Sequence, residues 1–474
     1  MTRPRIGIYD RFWSTMGGGE QHAGTAAAVL AEKYDVELIG LGEFDRSRFS
    51  NMLGKPVLAD LPLKVVGLEP TAVAEASRNY DLFINHSYTS EDVSLAPKSI
   101  YVVFFPQIYG KSAMRKFERH FRLQVESTTG LSEVAHDKLR FAGRAELSLK
   151  AKFDGQLTFS VEGSDVRVAV SGEGTTMRVV AETDRRRLIA VSFLRGTSEI
   201  AIGAPSASVL TPQLAGGQRV PFQHPALLSD SSPAFVDSYD LVLGNSQYTT
   251  DWIQRRWQRD AVVHYPPVVL RDFSPAKSKT ILSLGRFFDE SRGHSKQQLR
   301  LVRAFKKMVD QGLTDWRLVL VGGCDKANRE YALNVRREAV DYPIDVYLNA
   351  DLDMLNKQLQ DASIYWHATG FGVDLDTYPE RAEHFGIAPV EAMSAGAIPV
   401  VYSLGGPREI VDAGTNGFTF TTEDDLIART LEIIHLDKSQ RTTMAKVAAD
   451  SACRFSEDRF ASELLEHVRR LLGA

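Results

Sequence analysis

The chain of 474 residues is poor in the features that mark secreted, membrane-spanning or nucleic-acid-binding proteins. It has only two cysteines, Cys324 and Cys453, far apart in sequence. So few exclude a disulfide framework and fit a reducing cytosol. No apolar run approaches the roughly 18 residues that a bilayer-spanning helix needs. The opening apolar run, Ile6–Tyr9, is shorter than the apolar region of a secretion signal. A cytoplasmic location is therefore expected. An excess of basic charge is also lacking: 56 Lys and Arg stand against 60 Asp and Glu, a net charge of −4. That balance argues against wholesale binding to a phosphate backbone, so no nucleic-acid partner is expected. With 43% hydrophobic and 24% charged residues, the chain is an ordinary globular one, neither disordered nor collagen-like. Its length suggests about two to three domains.

What is present is alternation of strand and helix signals. Arg5–Tyr9 reads as a buried strand, Ser14–Gly19 as a glycine-rich loop, and Glu20–Lys33 as an Ala- and Leu-rich helix. Val36–Leu41, Asp81–Asn85 and Ser99–Phe105 read as further strands. Strands separated by helices imply βαβ units and a parallel sheet. From about Ala145 to Ala204 the helix signal vanishes. Short alternating runs recur there, separated by turn residues such as Asp154-Gly155, which predicts antiparallel hairpins. We expect an all-β module inserted in the first α/β domain, with Arg185-Arg186-Arg187 in a turn and Ser206–Ser232 as the returning loop. The α/β pattern resumes at Tyr239–Leu243 and the helix Gln247–Trp257. Tyr265-Pro266-Pro267 forms a stiff connector, since proline fixes φ and resists helix. A second α/β block follows, with strands at Thr280–Leu284, Arg317–Val321, Ile344–Leu348, Ser363–His367, Ile398–Tyr402 and Gly417–Phe420. The last helix, Glu457–Leu472, carries Phe460, Leu464, Leu465, Val468 and Leu471 on one stripe. The expected division is 1–143 and 205–268 for the first domain and linker, 144–204 for the module, 269–456 for the second domain, and 457–474 for a helix that packs back on the first.

The most informative stretch is Glu383–Val400. Glu383 and Glu391 are separated by seven residues. Phe385-Gly386 stands where a helix should begin, Pro389 suits its early turn, and Gly396 ends it. Such a helix N-terminus offers free N–H groups and a positive dipole end, suited to a diphosphate. One carboxylate can then face a sugar, and the other can accept hydrogen bonds from a second hydroxyl-rich unit such as ribose.

This run resembles the E-x7-E signature of the GT-B glycosyltransferases of family GT4, retaining enzymes that use nucleotide sugars. Ser283–Phe288, Gly405–Val411, Asn416–Phe418, Asn245–Tyr248 and Val263–Pro267 resemble other pieces of the same pattern, in the expected order. The resemblance covers the second domain and the edges of the first, and leaves out the β module. It implies two Rossmann-like domains facing across a cleft. It also implies that Arg286 clamps the donor diphosphate, bidentate and charge-assisted. The family's second basic residue is usually a lysine followed by glycine; here Arg292-Gly293 occupies that place, with Lys296 nearby. Glu383 would contact the transferred sugar and Glu391 the ribose. His384, Phe385 and Gly386 would bind the donor, the last two through backbone N–H groups. Gly17-Gly18-Gly19 resembles the family's first-domain glycine loop, with Gly18 and Gly19 approaching the donor. It is not the G-x-G-x-x-G of a dinucleotide site. Where many members carry an acceptor-facing histidine, this chain has Phe104-Phe105-Pro106-Gln107. Gln107 and His86 are the acceptor-side candidates.

The resemblance implies a hexosyl transfer from a nucleotide-diphosphate sugar to a glycan, lipid-linked or small-molecule hydroxyl. The leaving phosphate itself would take the acceptor proton. No metal and no cofactor is expected. Asp351-Leu352-Asp353 and Asp374-Leu375-Asp376 have a spacing that could share a hard cation, but both flank loops or helix starts. Cys324 should lie at a strand end near the cleft. Lys111–Arg122, basic with apolar residues at helical spacing, suggests peripheral contact with the inner face of a membrane. Two rival readings are a nucleotide-sugar hydrolase or epimerase of the same fold, and a non-catalytic carbohydrate-binding scaffold.

Overall fold

The computed structural model describes residues 3–68, 71–107, 123–135, 138–151, 155–162, 167–183, 186–193, 196–213, 235–289, 295–376 and 378–473. They form two compact units, Met1–Pro106 with Pro233–Ala474, and Gln107–Ser232.

The first unit holds two parallel sheets. One has the order β14-β13-β5-β4-β1-β2-β3. Its strands are β1 (Arg5–Tyr9), β2 (Asp35–Gly40), β3 (Leu63–Val65), β4 (Leu82–Asn85), β5 (Lys98–Val103), β13 (Leu241–Gly244) and β14 (Val262–Val263). The other has the order β17-β16-β15-β18-β19-β20. It comprises β15 (Ser278–Leu284), β16 (Arg317–Gly322), β17 (Ile344–Leu348), β18 (Ala362–His367), β19 (Ile398–Tyr402) and β20 (Phe418–Phe420). The central strands are near-continuous apolar runs because helices cover both faces of a parallel sheet. Every residue of β18 and β19 is buried.

The helix Gly18–Ala31 packs Ala23, Ala26, Ala27 and Leu30 into the first core. The final helix, Glu457–Leu472, sends Phe460, Leu464 and Val468 into that same core. The C-terminus thus stitches the two Rossmann-like domains together. Further ties cross between them. Glu409 accepts hydrogen bonds from the N–H groups of Gln247 and Tyr248, both at 2.8 Å. Arg256 pairs with Glu380 at 3.1 Å, and the Tyr248 hydroxyl donates to the Pro379 carbonyl at 2.9 Å.

The second unit is an antiparallel sheet of β6 (Leu123–Ala135), β7 (Lys138–Ala151), β8 (Gly155–Glu162), β9 (Arg167–Ser171), β10 (Thr176–Thr183), β11 (Arg186–Phe193) and β12 (Gly196–Gln213). The expected edges at 143/144 and 204/205 both fall inside strands. Register shifts near Val125, Thr129 and Glu133 break the alternation of β6, which hid it from sequence reading. Ser206–Gln213, expected as loop, continues β12 past Pro205. An irregularity between Ala204 and Ser208 accommodates the proline. Arg186 and Arg187 open β11 instead of sitting in a turn, and Arg185 lies outside the described residues, as does Lys111–Arg122.

Candidate active site

The strand ends of both domains open on one cavity of about 1130 Å³. One wall carries Phe12, Thr15, the glycines Gly17–Gly19, Glu20, His22, Tyr88 and Phe104 from the first domain. The other carries Gly285, Arg286, Lys296, Gly323, Asn349, His367, Glu383 through Pro389, and Glu391 from the second. Ligands bind outside the carboxyl ends of parallel strands for this topological reason.

On the second wall, the helix Ile387–Ser394 begins where the sequence indicated. Gly386 precedes it with φ 109°, a left-handed conformation that resists a side chain. No side chain caps this end, so the Ile387 and Ala388 segment presents helix N–H groups to the cavity. Glu383 lies just before the helix and Glu391 in its second turn, both lining the cavity. Glu391 Oε1 accepts from Arg271 Nη2 at 3.1 Å. Burial pushes the Glu391 carboxyl up, and Arg271 opposes that shift.

Glu383 is gripped by three groups on one oxygen. Its Oε2 pairs with the Lys296 ammonium, lies 3.0 Å from His367 Nε2, and accepts from the Thr369 hydroxyl at 3.3 Å. Burial lowers the His367 pKa, while Glu383 pulls it the other way. A β-carbon at Gly285 would overlap Lys296, so the glycine allows the lysine to lie across the end of β15. Arg286 follows, exposed, with its guanidinium 5.7 Å from the centre of the Phe288 ring. Gln298 fixes its backbone by donating to the Arg286 carbonyl at 3.1 Å.

On the first wall, Gly17 caps the helix Gly18–Ala31, and Glu20 Oε2 accepts from the Gly17 N–H and the Thr15 hydroxyl, each at 2.5 Å. Behind this loop lies a knot of imidazoles. His22 Nδ1 is 3.3 Å from His86 Nδ1. The His22 ring also meets His264 at 6.3 Å and Phe460 at 5.0 Å. Burial lowers the pKa of His86 to about 3 and of His264 to about 4, and that of His22 well below the ordinary value.

Most expected residues therefore converge. Gly18, Gly19, Arg286, Lys296, Glu383, His384, Phe385, Gly386 and Glu391 all line the cavity. His384 does so with its ring stacked on Phe105 at 4.3 Å. His86 is a correction: it is 1% exposed and sits behind His22, which takes its place on the wall. Gln107 is half-buried and belongs to the second unit. Arg292 lies outside the described residues. Asp351 caps the helix Leu352–Asp361 by accepting from Met354 N–H at 2.8 Å. Asp374 accepts from Asp376 N–H at 3.2 Å. Cys324 follows β16, its N–H bound to Asn349 Oδ1 at 2.8 Å. Among the described residues, no group of three or more His, Cys, Asp or Glu is arranged to hold a metal ion. No described helix is long and apolar enough to cross a membrane.

Sequence reading missed Glu20, His22, Arg271 and His367. Glu20 follows the cap residue Gly17 by three, the capping-box spacing, which could have revealed it. His367 ends a predicted strand, the position where such sheets place functional groups. His22 and Arg271 carry no local signal.

Residues 271–450 match the family model of glycosyl transferases group 1. The chain is similar to the human GDP-Man:Man(3)GlcNAc(2)-PP-Dol alpha-1,2-mannosyltransferase, 29% identical over 255 residues, 49% of each chain. The protein of the same name from Dictyostelium discoideum is 30% identical over 254 residues, 49% of this chain and 48% of that one. The chain spans about half the length of these curated relatives. Among solved structures, Anabaena HepE in complex with UDP and glucose superposes with a TM-score of 0.55 at 14% identity, over 98% of this chain and 99% of that one. Sucrose-phosphate synthase from Thermosynechococcus elongatus does so with a TM-score of 0.54 at 12% identity, over 99% and 100%. Paired Rossmann-like domains and these superpositions define a GT-B fold. Within it, residues 271–450 match the group 1 glycosyl transferase model, and the E-x7-E run lies inside that stretch.

Proposed function

We propose that this protein is a retaining, metal-independent glycosyltransferase that moves a hexosyl unit from a nucleotide-diphosphate sugar to a hydroxyl of a glycan or lipid-linked acceptor. The observation that carries the reading is the meeting of Arg286, Lys296, Glu383, Glu391 and an uncapped helix N-terminus on one wall of a single cavity. The diphosphate charge is met by the Arg286 guanidinium, the Lys296 ammonium and the N–H groups after Gly386, where negative charge grows as the donor bond breaks. Glu383 faces the transferred sugar and Glu391 takes ribose hydroxyls. The acceptor enters against the glycine-loop wall, and the departing phosphate takes its proton. The mannosyltransferase relatives make GDP-mannose the first donor to try, and HepE makes UDP-glucose the second. We place the protein in the cytoplasm, at the inner face of a membrane when its acceptor is lipid-linked; the basic run Lys111–Arg122 supports that contact.

A thermal-shift screen of GDP, UDP and their sugars tests the donor site. An occupied site stabilises by about 2.7 kcal/mol at one hundred times Kd. Product analysis by NMR, with and without a chelator, then reads anomeric outcome and metal use. Release of free sugar without transfer to any acceptor would favour the hydrolase reading.

A further inference from the structure

The loop after β4 carries Tyr88 into the cavity with 42% of its surface exposed. Its neighbour Thr89 has φ 56°, a left-handed conformation that a β-branched residue resists. Such a conformation persists where the surroundings over-determine it. Here they do. Asn85 Nδ2 donates to the Ser90 hydroxyl at 3.0 Å, and Asn85 Oδ1 accepts from Ser87 N–H at 2.9 Å. The Tyr101 hydroxyl donates to the Ser90 carbonyl at 2.8 Å, and the Tyr239 hydroxyl to the Asp92 carbonyl at 2.5 Å. Arg11 then joins this loop to the one after β1. Its N–H donates to the Ser87 hydroxyl at 3.2 Å and its Nη2 pairs with Asp92 at 3.0 Å. Its guanidinium lies 5.8 Å from the centre of the Phe12 ring. Phe12 also lines the cavity, half-buried. Two aromatic rings are thus held on rigid, mutually tied loops on the wall opposite Arg286 and Lys296.

We propose that Tyr88 and Phe12 form a stacking platform for a neutral sugar ring of the acceptor. This rests on the reading of the chain as a glycosyltransferase. The apolar face of a pyranose covers an aromatic ring, burying C–H groups that water solvates poorly. Its rim hydroxyls need polar partners, which Glu20 and Thr15 supply on the same wall. Among the described residues, the cation beside Phe12 is Arg11, and it is paired with Asp92. The occupant is therefore the saccharide of the acceptor, not a diphosphate.

Saturation-transfer NMR with methyl α-mannoside, methyl glucoside and methyl galactoside reads the platform without turnover. At least one should bind, saturated most on the protons of its apolar face. Tyr88→Ala should abolish that signal, and Tyr88→Phe, which keeps the ring, should retain it. In transfer assays Tyr88→Ala should raise the acceptor KM about tenfold or more, and by a larger factor than the donor KM. The proposal is overturned if no methyl glycoside binds, if binding survives Tyr88→Ala, or if donor and acceptor KM rise together. Failure of the wild type to bind any nucleoside diphosphate overturns the glycosyltransferase reading instead.

Discussion

Lys296 and Glu383 are bound to each other across the cavity wall, on the carboxylate oxygen that also faces His367. Both side chains are 17% exposed, so the pair is shielded and strong relative to a surface ion pair. In the proposed reaction an arriving diphosphate offers Lys296 a second anion, while the Thr369 hydroxyl keeps its hydrogen bond to Glu383. Arg286, exposed and beside Phe288, is the freer cation of the two. Arg286→Ala should lower kcat/KM by about two to three orders of magnitude, as loss of a preorganised charge stabiliser does. Lys296→Ala should cost a similar factor. A loss of less than about threefold in Arg286→Ala would transfer the clamp to Lys296.

Glu391 should govern nucleotide affinity. Glu391→Ala should weaken nucleoside diphosphate binding by about 1.5–3 kcal/mol, the range for a hydrogen bond to a charged group. Calorimetry that finds affinity unchanged in a folded variant removes it from the donor site. Burial raises the Glu391 pKa and Arg271 holds it down. In Arg271→Ala the carboxyl protonates more readily, and a protonated oxygen loses its charged acceptor. Nucleotide affinity in that variant should fall with acidification at higher pH than in the wild type. Parallel pH profiles would show that Arg271 does not set the charge of Glu391.

The second-domain wall was legible because its signals are local. Gly386, Pro389 and Gly396 mark a helix start and stop within eleven residues of sequence, so Glu383 and Glu391 could be placed from them. Arg5–Tyr9, Ile344–Leu348 and Glu457–Leu472 have the bounds that periodicity predicted. The first-domain wall was not legible. His86 looks like a loop-end histidine in sequence, yet it is buried, with the ring of His22, sixty-four residues away in the chain, packed against it. Strand β6 escaped because its register shifts erase the period-two pattern.

The imidazole knot predicts acid instability. From an ordinary 6.5, burial lowers the pKa of His86 to about 3 and of His264 to about 4, and burial with its histidine neighbours lowers that of His22. Below pH 6.5 the unfolded chain takes up these protons and the folded chain does not, so stability falls as pH drops toward about 4. Each such group contributes a slope of up to about 1.4 kcal/mol per pH unit. Asp10 acts in the opposite sense. Its pKa is raised by burial to about 7, so the folded chain keeps a proton that the unfolded chain releases above 3.8. His367 and His467, also lowered by burial, act with the knot, and Glu391 and Glu409, raised by burial, act with Asp10, so the comparison with a knot variant isolates its share. Urea midpoints between pH 7 and pH 5 should fall, and the fall should be shallower in His86→Asn. Equal slopes in both proteins would exclude the knot as the cause.

Glu409 should act as a clasp between the two Rossmann-like domains. Its carboxylate accepts from the N–H groups of Gln247 and Tyr248, at the start of the helix Gln247–Trp257, and from the Tyr265 hydroxyl at 3.1 Å in the linker. Burial raises its pKa, and the two N–H bonds oppose the shift. A carboxylate at a helix N-terminus also meets the positive end of the dipole. Glu409→Ala removes this charged acceptor and leaves two donors and a hydroxyl to find water. The cost should be about 1–3 kcal/mol of stability, seen as a lower thermal midpoint. Glu409→Gln keeps an oxygen acceptor and should fall between the wild type and the alanine variant. Nucleoside diphosphate affinity should stay unchanged, since Glu409 is not among the residues lining the cavity. A midpoint equal to wild type in Glu409→Ala would mean that water serves the helix end as well. A loss of nucleotide affinity instead would mean that the clasp sets the shape of the donor wall.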